Sequence, residues 1–327
     1  MSSPAVAFAR QVFSPAESAA TRVEPRAAEV WLLLGADLDQ DFVSEQLGAA
    51  FQGAFGARCA VVRTGDLLPG VHDGRLTLHD LQWRPVPVPR VVYARLSTPR
   101  LSTDREVTLL RQLQTMGATL LNPIDAVLSC VNKFWHLQQL ATAGIPVPDT
   151  YTYTVGGLAQ AVTAGLPEPC VVKPIRGHRG RGVFLAPDVA SLRELCDTDV
   201  GPHIFQDYVA HSHGRDLRVV VVDGTAVAAQ VRTSADGSLT SNISRGGTSS
   251  LCTGTYPLGE ELAVRAAEAL GLTVAGVDLL FQADGTFTVC EVNANVAWRS
   301  HMPSVAPAIV EACAKRLTVE LPAVQRH

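Results

Sequence analysis

The chain has 327 residues, of which 47% are hydrophobic and 18% are charged, and its formal net charge is −4. This composition can bury a sizeable core, which excludes a disordered chain, and it gives no support for a nucleic-acid partner. The sequence contains neither an apolar run long enough for a membrane span nor a secretory signal pattern, so we expect a cytoplasmic protein. The seven cysteines are scattered without a Cys-x-x-Cys pair, which predicts neither a disulfide framework nor a cysteine zinc site. Homo-oligomerisation is left open.

We predict that residues 1–28, which are rich in Ala, Ser, Pro and Arg, form a mobile tail. A small α/β domain is predicted to follow over residues 29–122. Apolar strands alternating with amphipathic helices indicate a mostly parallel sheet. We predict strands over 30–34, 58–62, 91–94 and 118–121, helices over 41–55 and 104–116, and an extended connection over 67–89. A dinucleotide site has no support here, because Gly-x-Gly-x-x-Gly is absent.

For the remainder of the chain we predict a helix, three strands and two β-hairpins, with a second helix between the two hairpins. The predicted ranges are helices over 131–143 and 260–270, strands over 170–172, 182–185 and 204–208, and hairpins over 216–231 and 277–292. Each hairpin turns at an Asp-Gly dipeptide, which is the strongest short hairpin signal.

The second hairpin predicts a metal site. If Asp284 and Gly285 form a two-residue loop, Leu280 faces Val289 and Asp278 faces Glu291, with Cβ atoms about 4.5–5.5 Å apart. Asn293 lies on the same face as Glu291, two residues further on. Two opposed carboxylates repel each other unless a cation lies between them, and their oxygens suit Mg²⁺ or Mn²⁺. The alternative is a solvated polar face.

A glycine-rich loop and two lysines predict phosphate binding. The loop follows an apolar strand and contains Lys173, Gly177, Gly180 and Gly182, whose N–H groups could wrap phosphate oxygens. Lysine is scarce, with only Lys133, Lys173 and Lys315 among the 27 basic residues, so a compact ammonium group could be required where it is kept. The alternatives are a surface hairpin for the loop and chance for the lysines.

Taken in order, these segments resemble the ATP-grasp superfamily and its RimK-like carboxylate–amine ligases. The resemblance spans about residues 122–317, and any one of its motifs alone would be weak. Its motifs are Asn132-Lys133 with 143–148, Val171-Val172-Lys173-Pro174 with the glycine loop, 206–209, 214–218, Ser241-Asn242 with 245–247, 274–278 and Glu291-Val292-Asn293.

The resemblance implies an α+β fold: the N-terminal lead domain, a central ATP-grasp lobe over 123–202 and a C-terminal lobe over 203–320 with the metal site. It implies ATP and Mg²⁺ (or Mn²⁺) as cofactors. The roles it implies are phosphate contacts at Lys133 and Lys173, an adenine hinge at Gln206, Asp207, Tyr208 and Val209, a nucleotide-contacting acid at Asp216, metal ligands at Asp278, Glu291 and Asn293, and residues near the γ-phosphate at Arg232 and Asn242.

The sequence departs from the family pattern around the second substrate. Related ligases commonly have Arg-Ser-Asn where this chain has Thr240-Ser241-Asn242. They often have Asn-x-Ser-Pro-Gly after the metal strand, whereas this chain continues from Asn293 to Trp298 and Arg299 without that pattern. Trp298 could form a flat wall and Arg299 a carboxylate clamp. The alternative is that Trp298 packs in the core and Arg299 is solvated. Further candidate substrate contacts are Arg95, Arg100 and Arg245, and surface arginines are the alternative for Arg95 and Arg100.

We therefore expect a ligase that activates a carboxylate as an acyl phosphate with ATP and joins it to an amine, releasing ADP and phosphate. Its partners would be ATP, a carboxylate substrate and an amine, with glutamate suggested by the resemblance. The alternatives are a ligase that modifies a peptide or loads a carrier protein, and a non-catalytic ATP-binding module.

Overall fold

The structure, a computed structural model, describes residues 28–35, 38, 41–97, 101, 104–152, 163, 165–166, 168–177, 180–198, 202–241 and 246–318. The predicted tail falls outside these residues except for Ala28, which is buried. Three sheets of four or five strands and one separate hairpin organise the described chain. Among the helices of this part of the chain, none has both the length and the apolar character needed to cross a membrane.

The lead domain is built on the predicted parallel sheet. Its elements are β1 (Val30–Leu34), α1 (Phe42–Phe55), β2 (Cys59–Arg63), β3 (Leu67–His72), β4 (Arg75–Asp80), β5 (Val91–Arg95), α2 (Glu106–Thr115) and β6 (Thr119–Leu121). The strand order is β2-β1-β5-β6, and every pair is parallel. Asp41 begins α1 because its carboxylate accepts a hydrogen bond from the backbone N–H of Ser44.

The prediction of an extended connection after β2 is wrong for residues 67–80. This segment is the antiparallel hairpin β3–β4, which turns at Asp73 and Gly74. Both turn residues have positive φ, 48° and 72°, as a two-residue hairpin loop requires. The Asp-Gly signal was therefore present in the sequence, although the nearby prolines obscured it.

The central lobe contains a four-stranded antiparallel sheet in the order β7-β10-β8-β9. Its elements are α3 (Ile124–Ser129), α4 (Lys133–Thr142), β7 (Thr150–Thr152), β8 (Cys170–Pro174), β9 (Phe184–Ala186), α5 (Val189–Thr198) and β10 (His203–Asp207). Because β10 pairs with both β7 and β8, this sheet continues through Asp207, beyond the predicted boundary at residue 202. The following residues, Tyr208 and Val209, lead out of the sheet.

The C-terminal lobe contains a five-stranded antiparallel sheet in the order β13-β12-β11-β14-β15. Its elements are β11 (Arg215–Val222), β12 (Thr225–Thr233), β13 (Thr248–Leu251), α6 (Pro257–Ala269), β14 (Val274–Phe281), β15 (Phe287–Asn293) and α7 (Val305–Thr318). One face of this sheet shares a core with α6, and the other with α7, α1 and β1. The lead domain and the C-terminal lobe are therefore packed against each other through apolar side chains.

The β14–β15 hairpin reaches the predicted pairing of Asp278 with Glu291 by a different route. The loop has three residues, 283–285, and Gly285 has a φ of 84°. Leu279 therefore faces Val289, and the predicted pairing of Leu280 with Val289 is wrong. A bulge at Cys290 inserts one extra residue into β15 and restores the register, so that Asp278 faces Glu291.

Candidate active site

A cavity of about 590 Å³ lies between the central sheet and the C-terminal sheet, and residues of α1 also line it. Its lining includes seven Lys and Arg residues but only five Asp and Glu residues, whereas the whole chain has a net charge of −4. The cavity therefore concentrates positive charge, which suits a polyanionic ligand.

Lys133 reaches the cavity from the first turn of α4. The Asn132 side chain caps this helix by accepting a hydrogen bond from the Phe134 N–H at 2.8 Å. The Lys133 Nζ donates to the Gly177 carbonyl at 3.0 Å and lies 3.6 Å from a Glu291 carboxylate oxygen. Burial alone would raise the pKa of Glu291, but the positive charge of Lys133 lowers it below its ordinary value. Lys133 thus links the glycine loop to β15.

Lys173 lies on β8 and points to the same cavity. Its Nζ donates to the Gln206 side-chain oxygen at 2.6 Å and lies 3.3 Å from the Cys290 sulfur. Gln206 is itself held by Thr150, at 3.0 Å. Burial raises the pKa of the Cys290 thiol, which therefore stays protonated at neutral pH.

The segment that follows Gln206 continues the lining of the cavity. Asp207, Tyr208 and Val209 all line it, and the Tyr208 hydroxyl lies 2.7 Å from the Nδ1 of His213. Of the three glycines in the predicted phosphate loop, Gly177 and Gly180 line the cavity, whereas Gly182 packs against Pro174 and does not.

The floor of the cavity is a ladder of alternating charges across β12, β11 and β14. Asp216 accepts two hydrogen bonds from Arg232, at 2.7 and 2.6 Å, and a third from the Ser241 hydroxyl at 2.7 Å. Arg232 also lies 2.9 Å from Asp278, which Arg218 contacts through both carboxylate oxygens. Strand pairing explains this geometry, because Asp216 faces Arg232 and Arg218 faces Asp278.

The charges of this ladder are almost completely removed from solvent. Burial opposes the charge on Arg232, but the Asp278 and Asp216 carboxylates outweigh it and raise the pKa of Arg232 above its usual range. Burial likewise raises the pKa of Asp278, whereas the guanidinium groups of Arg218 and Arg232 lower it. Because a nitrogen of each guanidinium lies within 2.9 Å of an Asp278 carboxylate oxygen, we take Asp278 to be ionised.

Arg218 also depends on Gly276, which lies two residues before Asp278 on β14. A β-carbon added at Gly276 would lie 2.4 Å from the Arg218 Nη1, which is much closer than atoms can approach. Gly276 has no side chain in the path of the guanidinium, so the Arg218 side chain can lie over β14 and contact Asp278.

The predicted metal donors share one side of the cavity. Asp278, Glu291 and Asn293 all line it, and the two carboxylates face each other across β14 and β15. Across the described chain there is no group of three or more His, Cys, Asp or Glu side chains arranged to hold a metal ion, so an amide oxygen would complete this set. Hard oxygen donors fit Mg²⁺ or Mn²⁺, and a carboxylate that accepts hydrogen bonds retains further lone pairs.

The predicted substrate contacts are distributed differently from expectation. Trp298 is 5% exposed and belongs to the apolar core, although it also lines the cavity, so the core-packing alternative and the wall prediction both describe part of its position. Arg299 is exposed and lines the cavity. Arg95 does not line it; its guanidinium is buried against Asp41, Ser44 and Asn295, which corrects its assignment as a substrate contact. Arg100, Asn242 and Arg245 lie outside the described residues.

Several cavity residues were not predicted from the sequence. Arg218 was part of a quoted motif without a role, and its position two residues after Asp216 on one strand face was the available signal. Cys290 lines the cavity only because of the bulge, which no motif indicated. Asp41 and Asn295 come from segments 254 residues apart and meet through the packing of the lead domain on the C-terminal lobe.

His136 is a buried histidine on α4, one turn after Lys133. It is 1% exposed, and neither ring nitrogen has a partner in the described structure. Burial lowers the pKa of His136 to about 4. The unfolded chain would take up this proton near pH 6.5, whereas the folded chain resists protonation until about pH 4. Folding stability should therefore fall as the pH drops through this range.

We expect His136→Phe to remove this pH dependence. Between pH 7 and pH 4.5 the unmodified protein should lose about 2–3 kcal/mol more unfolding free energy than the variant, because only its unfolded state gains a proton at this position. Urea unfolding at both pH values measures the difference. His72→Gln, at an exposed histidine, is the matched control. Equal pH dependence in the unmodified protein and His136→Phe would contradict the buried neutral histidine.

Comparison with known proteins places this arrangement in a family. The model of the RimK-like ATP-grasp domain matches residues 130–306, more than half of the chain. The chain belongs to the RimK-like ATP-grasp family. β-Citrylglutamate synthase B of Danio rerio is 39% identical over 290 residues, covering 83% of this chain and 69% of that protein. N-acetylaspartylglutamate synthase A of Mus musculus is 40% identical over 288 residues, covering 83% and 73%.

Solved structures agree with the family at the level of the fold. The ATP-grasp ligase PsnB, complexed with a phosphomimetic variant of its minimal precursor, Mg and ADP, superposes with a TM-score of 0.66 at 17% identity. The match covers 90% of this chain and 100% of that one. Both relatives are named as synthases, and a further relative from Xanthomonas campestris is named a probable α-L-glutamate ligase. This protein is an ATP-dependent carboxylate–amine ligase that forms C–N bonds.

Proposed function

We propose that this ligase joins the amino group of glutamate to a small acid with more than one carboxylate, of the citrate or N-acetylaspartate type. The names of both vertebrate relatives contain glutamate joined to such an acid. The observation that carries the proposal is Arg299. It lines the same cavity as the predicted metal donors, and it has no salt bridge or side-chain hydrogen bond to any residue that the structure describes.

An unpaired arginine in this position suits a carboxylate that is not itself activated. Of the other cavity arginines, Arg218 and Arg232 are already bound to carboxylates, so they are less available for a substrate. Arg215 lies over the Phe281 ring, and Arg181 belongs to the glycine loop to which we assign phosphate contacts. Guanidinium binds carboxylate through two parallel hydrogen bonds, which fixes orientation as well as charge. Either a second carboxylate of the acid or a carboxylate of glutamate could occupy this place, and both are consistent with the proposed product.

The same cavity supplies the groups that nucleotide binding requires. We assign phosphate contacts to Lys133, Lys173 and the loop at Gly177 and Gly180, and the adenine contact to the segment 206–209. We assign Mg²⁺ to Asp278, Glu291 and Asn293, whose oxygen donors fit it. When bound, the ion would neutralise charge on the phosphoryl group during transfer.

The residues of the chain then act by alignment and charge. The two lysines would bind phosphate oxygens, and Arg232, held by Asp216 and Asp278, would stabilise the charge that develops on the γ-phosphate, with Asn242 assigned beside it. Arg299 would hold the carboxylate substrate, and Trp298 would form an apolar wall beside it. Transfer of the phosphoryl group to the substrate carboxylate gives an acyl phosphate. Attack by the amine forms the amide and releases phosphate, while a closed glycine loop would exclude water.

The function is tested by ADP release, with each product identified by mass spectrometry. Glutamate is combined in turn with citrate, N-acetylaspartate and acetate, and each reaction is repeated with aspartate as the amine. We expect ADP release and a condensed product, one water lighter than the sum of its substrates, only with glutamate and a polycarboxylic acid. Efficient ligation of acetate, or of aspartate in place of glutamate, would contradict the proposed substrates. Turnover only with a peptide or carrier protein would favour the alternative ligase.

We expect Arg299→Ala to raise the KM for the acid or for glutamate by roughly 10-fold or more, because a charge-assisted contact is lost. The KM for ATP should stay unchanged. Arg265→Ala on α6 is the control, since Arg265 is also exposed but does not line the cavity. A shift confined to the KM for ATP would show that the pocket assignment is wrong, and no shift in any KM would leave Arg299 as a solvated side chain.

A further inference from the structure

Arg95 is a buried cation of the lead domain that contacts the segment following the predicted metal strand. It ends β5 and is 3% exposed. Its Nε donates to the Ser44 hydroxyl at 3.0 Å, its Nη2 donates to Asp41, and its Nη1 donates to the Asn295 side-chain oxygen at 2.9 Å. One guanidinium group therefore connects β5, the first turn of α1 and a residue only two positions beyond Asn293.

A second buried side chain of the lead domain holds the preceding residue. Asn122 directly follows β6 and is 4% exposed. Its amide donates to the carbonyls of Ala294 at 3.0 Å and Val274 at 2.7 Å, and its oxygen accepts from the Val274 N–H. Two adjacent residues, Ala294 and Asn295, are thus held from the ends of two neighbouring lead-domain strands.

The held residues begin a segment that lines the cavity. Asn295, Ala297, Trp298 and Arg299 all line it, and the side chain of Trp298 is buried in the core that the lead domain shares with the C-terminal lobe. Asp41, another partner of the Arg95 guanidinium, also lines the cavity. Arg95 therefore connects two parts of the cavity wall without lining the cavity itself.

We propose that Arg95 is a positioning residue for the second substrate and acts through Asn295. By fixing Asn295, it sets the course of residues 295–299 and so the place where Arg299 meets a carboxylate. The arrangement needs a planar donor with several N–H groups, because three acceptors surround it in different directions. This inference rests on the proposed function for the identity of the substrate, but the link between Arg95 and Asn295 can be tested without it.

The test measures steady-state kinetics of Arg95→Gln, Asn295→Ala and the double variant, for ATP and for the second substrate separately. We expect each single variant to lower kcat/KM for the acid or glutamate by roughly 10-fold, with the KM for ATP changed less than about two-fold. The double variant should be no worse than Arg95→Gln alone, because residues that act through one contact are not additive. Additive losses, or equal shifts for ATP, would overturn the proposal.

Two further variants separate positioning from substrate binding and from folding. Asn295→Asp keeps an oxygen that can accept from Arg95, so it should retain near-normal kcat/KM, whereas a direct contact to a carboxylate substrate would make it worse than Asn295→Ala. Should Arg95→Gln fail to fold, Asn295→Ala decides alone, and unchanged kinetics in it would overturn the proposal. Arg58→Gln, at an exposed lead-domain arginine paired with Glu29, is the control. None of these outcomes depends on the effect of Arg299→Ala. Failure of the proposed substrate contact at Arg299 can therefore be distinguished from failure of the proposed role of Arg95.

Discussion

Glu291→Gln is expected to lower turnover by roughly 100-fold or more, because a charged oxygen donor for the metal is lost from the predicted site. Asp278→Asn should lower it at least as much. Turnover is measured at saturating ATP over a range of Mg²⁺ concentrations, and high Mg²⁺ should restore part of the activity of Glu291→Gln. Asp223→Asn is the control, since this carboxylate is also paired with a lysine and an arginine but lies outside the cavity.

The two variants should differ in stability. Asp278 is in contact with both Arg218 and Arg232, and all three side chains are about one-tenth exposed. Removing the charge of Asp278 takes away the carboxylate that Arg218 contacts, while Arg232 keeps Asp216, and this should cost about 3 kcal/mol of unfolding free energy. Glu291 has a longer contact, 3.6 Å from the Lys133 Nζ, so Glu291→Gln should cost less unfolding free energy than Asp278→Asn. Near-normal turnover in both variants would show that these carboxylates are not the metal site.

Lys173→Ala is expected to weaken binding of a non-hydrolysable ATP analogue by roughly 10- to 100-fold, because a charge-assisted phosphate contact is lost. Lys315→Ala should leave the affinity unchanged. Lys315 is 56% exposed and pairs with Asp223 and Glu311 on the surface. Calorimetric titration compares the two variants, and Lys173→Met distinguishes the lost charge from the lost side-chain volume.

Equal affinity losses at Lys173 and Lys315 would show that the scarcity of lysine carried no information about the nucleotide site. The structure supports comparing Lys173 with Lys315, because Lys133 and Lys173 line the cavity and Lys315 does not. A loss only at Lys173 would support the phosphate assignment.

The sequence predicted the strands of the site better than their connections. The run of apolar residues before Asp278, together with the Asp-Gly turn, was enough to place Asp278 opposite Glu291. The pairing is correct, but the two-residue loop and the unbroken register behind it are wrong. A three-residue loop and a one-residue bulge offset each other, and neither leaves a distinctive pattern in the sequence.

Contacts between distant segments could not be predicted in the same way. From the sequence, Arg95 is a candidate substrate contact with a surface arginine as the alternative, because its neighbours along the chain do not show that it is buried. Only the packing of α1 and residues 294–299 around it supplies the three acceptors. Similarly, the two His136 ring nitrogens have no hydrogen-bond partner among the described residues because the ring is buried within the folded lobe, and its neighbours along the chain give no sign of this.

The bare backbone at Gly276 has a consequence for how the charge ladder tolerates change. Even a methyl group there would compete with the Arg218 guanidinium for the same volume, since the added carbon would lie 2.4 Å from Nη1. The arginine would have to swing away, and Asp278 would then keep Arg232 as its remaining cation. Steric clearance at an uncharged position therefore controls the electrostatic balance of the predicted metal site, and variation at residue 276 would alter its chemistry without changing any ionisable group.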